Sequence, residues 1–124
     1  MSIAGIELNM LANAGFPLAT FAPGDTIFTT GDPGDYMYVV RSGEVEIERD
    51  GKVVETLSGG GIFGEMALID GSPRSATARA KTDAEVAPIN EKSFLFLVHE
   101  TPFFAIAVMR TLADRLRRSA VLRG

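Results

Sequence analysis

Apolar and polar residues alternate in short runs through the middle of the chain. Between positions 16 and 89, glycine, proline, aspartate and asparagine interrupt the apolar runs about every eight to twelve residues, which is typical of an all-β sandwich or barrel. The segment Glu44–Glu48 alternates residue by residue, so it predicts a strand with Val45 and Ile47 facing the core and its carboxylates facing water. The Asp-Gly pair at 50–51 then predicts a tight hairpin turn.

Helical spacing replaces this pattern at both ends of the chain. Near the N-terminus, apolar residues recur at helical spacing up to a glycine at position 15, and they predict a short helix over residues 1–15. Residues 91–121 predict C-terminal helices, a short one over Ser93–His99 and a longer one from Pro102, with Thr101 as its N-cap. The apolar stripe of the longer helix comprises Ala105, Val108, Met109, Leu112, Leu116 and Ala120.

The order of these elements predicts a mainly β fold with flanking helices. Residues 16–90 would form a jelly roll, that is, a double-stranded β-helix, an architecture usually built from about eight strands in two sheets. The short N-terminal helix and the C-terminal helices would flank this roll. Neither a repeat nor a linker divides the chain of 124 residues, so we expect one domain over residues 1–124.

The inventory of charged and reactive side chains narrows the range of functions. The formal net charge is −4 and the isoelectric point is about 4.9, which argues against nucleic-acid binding by this chain itself. Cysteine is absent and His99 is the only histidine. We therefore expect no metal site, no resident cofactor and no metal-dependent enzyme of the cupin type, since such an enzyme needs a cluster of histidine and carboxylate ligands.

Nothing in the sequence predicts a membrane segment. No apolar run approaches the roughly 20 residues that a transmembrane helix needs. The N-terminal apolar residues have no lysine or arginine ahead of them and are interrupted by Glu7, so they do not resemble a signal peptide. We therefore expect no transmembrane segment and a cytoplasmic location.

The candidate chemistry is concentrated between positions 63 and 77. Glu65 and Arg74 lie nine positions apart, on either side of a short apolar turn. A carboxylate accepts hydrogen bonds from sugar hydroxyls, whereas a guanidinium presents a fork of donors that fits a phosphate. The pair therefore suits a ligand with a ribose and a phosphate. Taken alone, each residue is better explained as a surface charge, Glu65 beside a helix dipole and Arg74 in a turn.

This stretch resembles the phosphate-binding cassette of the cyclic nucleotide-binding domain, through Phe63-Gly64-Glu65-Met66-Ala67-Leu68 and Pro73-Arg74-Ser75-Ala76-Thr77. Upstream, segments 23–25, 31–40 and 42–45 are similar to the glycine-punctuated strands of the same family, which includes catabolite activators, kinase regulatory subunits and nucleotide-gated channels. The resemblance covers roughly residues 16 to 120. It implies the jelly-roll fold, a cyclic nucleotide ligand and no catalytic activity.

The resemblance also implies a role for each residue of the cassette. Glu65 would hold the ribose 2′-hydroxyl, and Arg74 would pair with the cyclic phosphate. The other contacts would be the backbone groups of Gly64 and Met66, the hydroxyl of Ser75, and the close approach that the small Ala76 permits.

Fewer residues of the sequence indicate how the base of the ligand would be bound. A serine at position 75 resembles the bacterial cAMP binders of the family, which favours cAMP, with cGMP as the alternative ligand. Residues of the last helix often cap the base in this family, and Arg115, Arg118 and Ser119 lie where such a lid would close. The other interpretation of these arginines is a solvated basic face.

Two functions remain open at this point. In the leading hypothesis, the chain is a non-catalytic cAMP sensor whose last helix changes position when the ligand binds. In the alternative, a ligand-free domain of the same fold acts through its last helix, where Leu112 and Leu116 would contact a protein partner or a second copy in a homodimer. The presence of both Glu65 and Arg74 favours the sensor.

Overall fold

The computed structural model describes residues 17–123, with side chains as far as Arg118. The helix predicted over residues 1–15 lies outside the described residues. Eight strands are formed, β1 (Ala19–Phe21), β2 (Thr26–Phe28), β3 (Met37–Ser42), β4 (Val45–Arg49), β5 (Lys52–Leu57), β6 (Ile62–Phe63), β7 (Thr77–Ala80) and β8 (Ala84–Ile89). Three helices accompany them, α1 (Glu65–Asp70), α2 (Glu91–Glu100) and α3 (Pro102–Arg123).

The strands form two four-stranded antiparallel sheets. Their orders are β1-β8-β3-β6 and β2-β7-β4-β5. Strands that are neighbours in the sequence therefore often lie in different sheets, as in a jelly roll. The predicted mainly β fold with flanking helices is confirmed.

The hairpin between β4 and β5 forms where the sequence predicted it. Val45 and Ile47 are buried, so the alternating pattern did identify the inward face. Asp50 and Gly51 have φ angles of 54° and 77°, and this pair of left-handed residues makes the tight turn whose twist matches the flanking strands.

The two C-terminal helices start from different signals. Helix α2 begins two residues before the predicted Ser93, because the side chain of Asn90 accepts a hydrogen bond from the Ser93 N–H and so caps the helix. Helix α3 begins at Pro102, as predicted. Thr101 separates the helices, since its N–H donates to the carbonyl of Leu97 and its carbonyl accepts from the N–H of Phe104.

The apolar stripe predicted for α3 is only partly correct. Val108 is buried and Leu112 is packed against the same apolar cluster. In contrast, Met109 and Leu116 are 59% and 70% exposed. The predicted stripe is wider than the surface that α2 and the roll cover, so the helix buries one edge of it and leaves the other edge uncovered.

The core has two parts. The first lies between the β1-β8-β3-β6 sheet and the C-terminal helices, and its buried residues include Met37, Val39 and Phe104. The second lies between the two sheets and includes Val40 and Phe63. Strand β3 contributes to both parts, because successive side chains point to opposite faces. The end of β6 and the start of β7 therefore hold the segment 63–77 against a packed interior.

Among the described residues, no single helix has the length and apolarity to cross a membrane. Helix α2 and residues 102–118 of α3 reach that length and apolarity only when they are counted together, and the two are bent by 117° relative to each other.

Candidate functional site

The main chain of Arg74 is fixed by the loop that follows β2. The N–H of Gly31 donates to the Arg74 carbonyl at 2.8 Å, and the N–H of Arg74 donates to the Asp32 carbonyl at 2.8 Å. Asp32 in turn is held by its own carboxylate, which accepts from the N–H of Thr29. Arg74 therefore enters β7 from a backbone position that hydrogen bonds define on both sides.

The guanidinium of Arg74 is buried and has no acidic partner. Only 4% of the residue is exposed. Nη1 donates to the carbonyl of Gly64 at 2.8 Å, Nη2 donates to the carbonyl of Tyr36 at 2.6 Å, and Nε has no hydrogen-bond partner. Within residues 17–118, no carboxylate lies within ion-pair distance of this cation. Among the described residues, this cation is therefore not paired with an acid, and its Nε–H has no acceptor.

The surroundings of Arg74 shift its pKa in opposite directions. Burial lowers the pKa of Arg74, and the nearby Tyr38, Asp35 and Asp32 raise it by smaller amounts. Burial also raises the pKa of Tyr38, against the opposing influence of Arg74. An arginine remains protonated despite such a shift. The lowered pKa therefore indicates the cost of removing this cation from water, which a bound anion would offset.

Two glycines leave the room that the guanidinium occupies. Gly64 has a φ of 76°, and a Cβ there would lie 2.6 Å from Nη1 of Arg74. A Cβ on Gly34 would lie 2.1 Å from the Cβ of Ala67 and 3.2 Å from Cζ of Arg74. Any side chain at either position would push against α1 or against Arg74 itself.

Glu65 is buried at the start of α1, where it is 1% exposed. Its carboxylate forms an ion pair with Nη1 of Arg115, which comes from the last helix. Arg115 also donates through Nη2 to the carbonyl of Ile62 at 2.8 Å and to Oε1 of Glu55 at 3.2 Å. The other oxygen of Glu55 lies 3.4 Å from Nη2 of Arg118. Glu55, Glu65, Arg115 and Arg118 thus form one network, which we call the Glu55–Arg118 network.

The sequence did not predict this network. Two interpretations were open for Arg115, a cap over the base or a solvated basic residue, and the structure shows Arg115 in contact with the carboxylate of Glu65. Burial lowers the pKa of Arg115 and Glu55 raises it, so the solvated interpretation is wrong for this residue. Nothing in the sequence marked Glu55 as a functional residue, because an acidic residue in a strand is typical of a solvated face. The side chain of Ser119 lies outside the described side chains.

The structure brings the other predicted residues to the same region. Gly64 and Glu65 begin α1, and Arg74 reaches back to the Gly64 carbonyl. Ala76 is buried in the part of the core that lies between the two sheets, whereas Ser75 is exposed and Met66 is 45% exposed. Ser75 and Met66 therefore lie on the solvent side of the segment, and Arg74 and Ala76 on its buried side.

Comparison with known proteins identifies the family of this chain. The family model of the cyclic nucleotide-binding domain matches residues 18–101. The chain belongs to the cyclic nucleotide-binding domain family. Over 94 residues it is 40% identical to a cAMP-dependent protein kinase regulatory subunit of Yarrowia lipolytica, an alignment that covers 74% of this chain and 25% of that protein. The chain thus spans about a quarter of the length of this relative.

Solved structures show the same relationship. The catabolite activator protein of Thermus thermophilus superposes with a TM-score of 0.81 at 34% identity, over 93% of this chain and 56% of that one. The EAL enzyme Bd1971, in structures described as its cAMP-bound and cGMP-bound forms, superposes with TM-scores of 0.61 and 0.63 at 35% identity. These two alignments cover 85% and 84% of this chain and 29% of the enzyme.

The Glu55–Arg118 network predicts the effect of a neutral residue at position 55. Glu55→Gln removes the carboxylate that neutralises two arginines of α3, so we expect a loss of about 1–3 kcal/mol in the free energy of unfolding. We also expect faster amide hydrogen exchange in the second half of α3, because that half loses its charged contact with β5.

A matched control is Glu46→Gln on the neighbouring strand, since Glu46 forms no ion pair among the described side chains. It should change neither quantity appreciably. Equal exchange rates in α3 for Glu55→Gln and the unmodified protein would contradict the assigned role of Glu55.

The packing around Gly34 predicts a second effect. Gly34→Ala places a Cβ where the Cβ of Ala67 already lies, so α1 or the loop must move, and we expect a loss of about 1–3 kcal/mol measured by urea unfolding. Gly59→Ala is the comparison, because its added Cβ would meet only the carbonyl oxygen of Arg41, at 3.3 Å, and therefore needs a much smaller shift than the 2.1 Å contact at Gly34. If both variants were equally stable, the crowding at Gly34 would not be the reason for its glycine.

Proposed function

We propose that this chain is a non-catalytic sensor module that binds a cyclic nucleotide, with cAMP as the preferred ligand and cGMP as the alternative. The observation that carries the proposal is the buried guanidinium of Arg74, which has a free Nε–H and no carboxylate within ion-pair distance among the described side chains. A buried cation is costly unless it is paired, so a site of this kind favours an anion that completes it.

A cyclic phosphodiester fits the positive end of the site. It carries one negative charge, which matches the single cation, and its oxygens accept charge-assisted hydrogen bonds from a guanidinium. Ser75 is exposed next to Arg74 and offers a hydroxyl to the same phosphate. The two bonds from Arg74 to backbone carbonyls fix the direction of its free edge before the ligand arrives.

The ribose end has a different character. Glu55 and Glu65 balance Arg115 and Arg118, so the Glu55–Arg118 network has no formal net charge. An ionised carboxylate offers about four lone-pair sites, and Arg115 uses part of them on Glu65, so this residue retains capacity for a neutral hydroxyl. A ligand with an anion at one end and an uncharged sugar at the other complements both ends. The cassette residues Gly64, Glu65, Met66, Arg74, Ser75 and Ala76 are the proposed contacts.

The relatives support the choice of ligand. The kinase regulatory subunit is described as cAMP-dependent, and the EAL enzyme Bd1971 has been solved in cAMP-bound and cGMP-bound forms. Ser75 does not exclude either base, since a hydroxyl both donates and accepts. We therefore propose cAMP first, and expect cGMP to occupy the same site with lower affinity.

The output of the sensor is proposed to be the last helix. Arg115 connects α3 to Glu65, so a ligand that contacts Glu65 changes the balance of contacts that holds this helix. A ligand shifts such an equilibrium by its difference in affinity for the two positions of the helix and by no more. The protein that receives the signal is not defined by this chain.

Helix α3 also has an exposed apolar surface. The alternative function, a ligand-free domain that acts through its last helix, would use this surface to bind a partner. Ile106, Met109 and Leu116 are exposed, and Ala113 is half-buried between them. Their spacing of three, four and three residues is that of the a and d positions of a coiled coil. We propose that this stripe pairs with a second copy of the chain.

The role of Arg74 predicts the behaviour of two variants in titration calorimetry with cAMP and cGMP. Arg74→Ala removes the cation proposed to pair with the phosphate, so binding should become undetectable, whereas Arg74→Lys retains a charge without the fork and should bind with intermediate affinity. The matched control is Arg41→Ala, because Arg41 is a largely exposed arginine. An Arg74→Ala variant that binds as tightly as the unmodified protein would refute the proposed site.

The coiled-coil spacing predicts the effect of a charge on the stripe. Leu116→Glu should convert a dimer into a monomer in size-exclusion chromatography with light scattering, because a carboxylate would have to be buried in the seam. Leu95→Glu on α2 is the control, since Leu95 is also exposed but lies outside the stripe. A monomeric unmodified protein at high concentration, or dimers of both variants, would argue against pairing through α3.

A further inference from the structure

An aromatic ring covers one face of the Arg74 guanidinium. Cζ of Arg74 lies 4.0 Å from the centroid of the Phe28 ring and 5.7 Å from that of Tyr38. A cation over an aromatic face is attracted by the ring quadrupole, and the attraction is larger where water is excluded. Arg74 is buried, so this contact is of the stronger kind.

The ring of Phe28 is itself held in place. Its centroid lies 5.9 Å from that of Tyr38 and 5.9 Å from that of Phe63, and the rings of Tyr38 and Phe63 are stacked at 5.1 Å. These three residues come from β2, β3 and β6, so the platform under Arg74 is built by both sheets. A ring packed on two sides cannot turn away from the guanidinium without disturbing its neighbours.

The backbone connects Phe28 to Arg74 as well. Phe28 pairs with Ala78 of β7, and a few residues later the loop after β2 hydrogen-bonds to both backbone groups of Arg74. The N–H of Thr30 donates to the hydroxyl oxygen of Thr77 at 3.0 Å between these two connections. The ring and the guanidinium therefore belong to one hydrogen-bonded unit of β2 and β7.

A ring serves here in a way that other residues could not. A carboxylate beside Arg74 would neutralise the guanidinium and compete with the phosphate for it. A leucine would fill the space without stabilising the charge. The face of Phe28 stabilises the cation without using any of its N–H donors, because those donors lie in the plane of the guanidinium. Nη1 and Nη2 each donate to one carbonyl, that of Gly64 or of Tyr36, and the Nε–H has no acceptor.

We propose that Phe28 is a positioning residue of the ligand site, whose ring orients the Arg74 guanidinium and stabilises its charge while leaving it available to an anion. This inference rests on the proposed function in one respect, namely that the anion is a cyclic phosphodiester. The contact between Phe28 and Arg74 does not depend on that identity, which allows the two proposals to be tested separately.

The first test uses the full chain without ligand. Protons above an aromatic ring are shielded, so the Nε–Hε resonance of Arg74 in a proton–nitrogen NMR spectrum should lie upfield of the other arginines. Arg74→Lys identifies the resonance by removing it. Phe28→Leu should move it back toward the ordinary arginine position, whereas Phe28→Tyr, which retains the ring, should leave it upfield.

The second test measures affinity for cAMP by titration calorimetry with the same variants. Phe28→Leu should bind about thirtyfold more weakly, since a desolvated cation–π contact is of that size. Phe28→Tyr should stay within about twofold of the unmodified protein. Ile27→Ala is the control, because Ile27 lies on the same strand and packs against the core between the two sheets. Its truncation should lower the free energy of unfolding without changing the affinity for cAMP or the Arg74 resonance.

The outcomes separate the two proposals. A resonance that is upfield in the unmodified protein, lost in Phe28→Leu and kept in Phe28→Tyr, together with the matching affinities, supports Phe28 as a positioning residue. An ordinary resonance in the unmodified protein overturns it even if Phe28→Leu does not fold, and so does an unchanged affinity in Phe28→Leu. An upfield resonance without binding of any cyclic nucleotide supports the stacking and overturns the proposed function.

Discussion

The structure depends on one buried positive charge, that of the Arg74 guanidinium. Three groups fix this cation without neutralising it, namely the carbonyl of Gly64, the carbonyl of Tyr36 and the ring of Phe28. Backbone carbonyls and an aromatic face stabilise a cation by partial charges, so its full charge remains available to an anion. The glycines around it, the loop after β2 and the start of β7 are all arranged so that this group fits.

Charge is distributed unevenly over the candidate site. At the proposed ribose end, the Glu55–Arg118 network pairs two acids with two arginines, whereas Arg74 at the proposed phosphate end has no carboxylate within ion-pair distance in the described part of the chain. This asymmetry corresponds to the two ends of a cyclic nucleotide, a neutral sugar and an anionic phosphate. It also ties the site to α3, since Arg115 belongs to that helix and contacts the carboxylate of Glu65.

Helix α3 therefore has two faces with different roles. One face packs Phe104 and Val108 against the roll and sends Arg115 into the site. The other exposes Met109 and Leu116 to solvent. Membership of the cyclic nucleotide-binding domain family accounts for the roll. In the proposed function, α3 is the element that carries a signal from the site to another molecule.

The sequence by itself determined the β architecture, the hairpin at 50–51 and the start of α3, because these follow from local periodicity and turn residues. Only the tertiary structure decided that Arg115 lies on Glu65, that Glu55 neutralises it and that Phe28 lies under Arg74. Those contacts join residues 46 to 60 positions apart. Their geometry is set by how the sheets and α3 pack, and a local pattern carries no information about such distances.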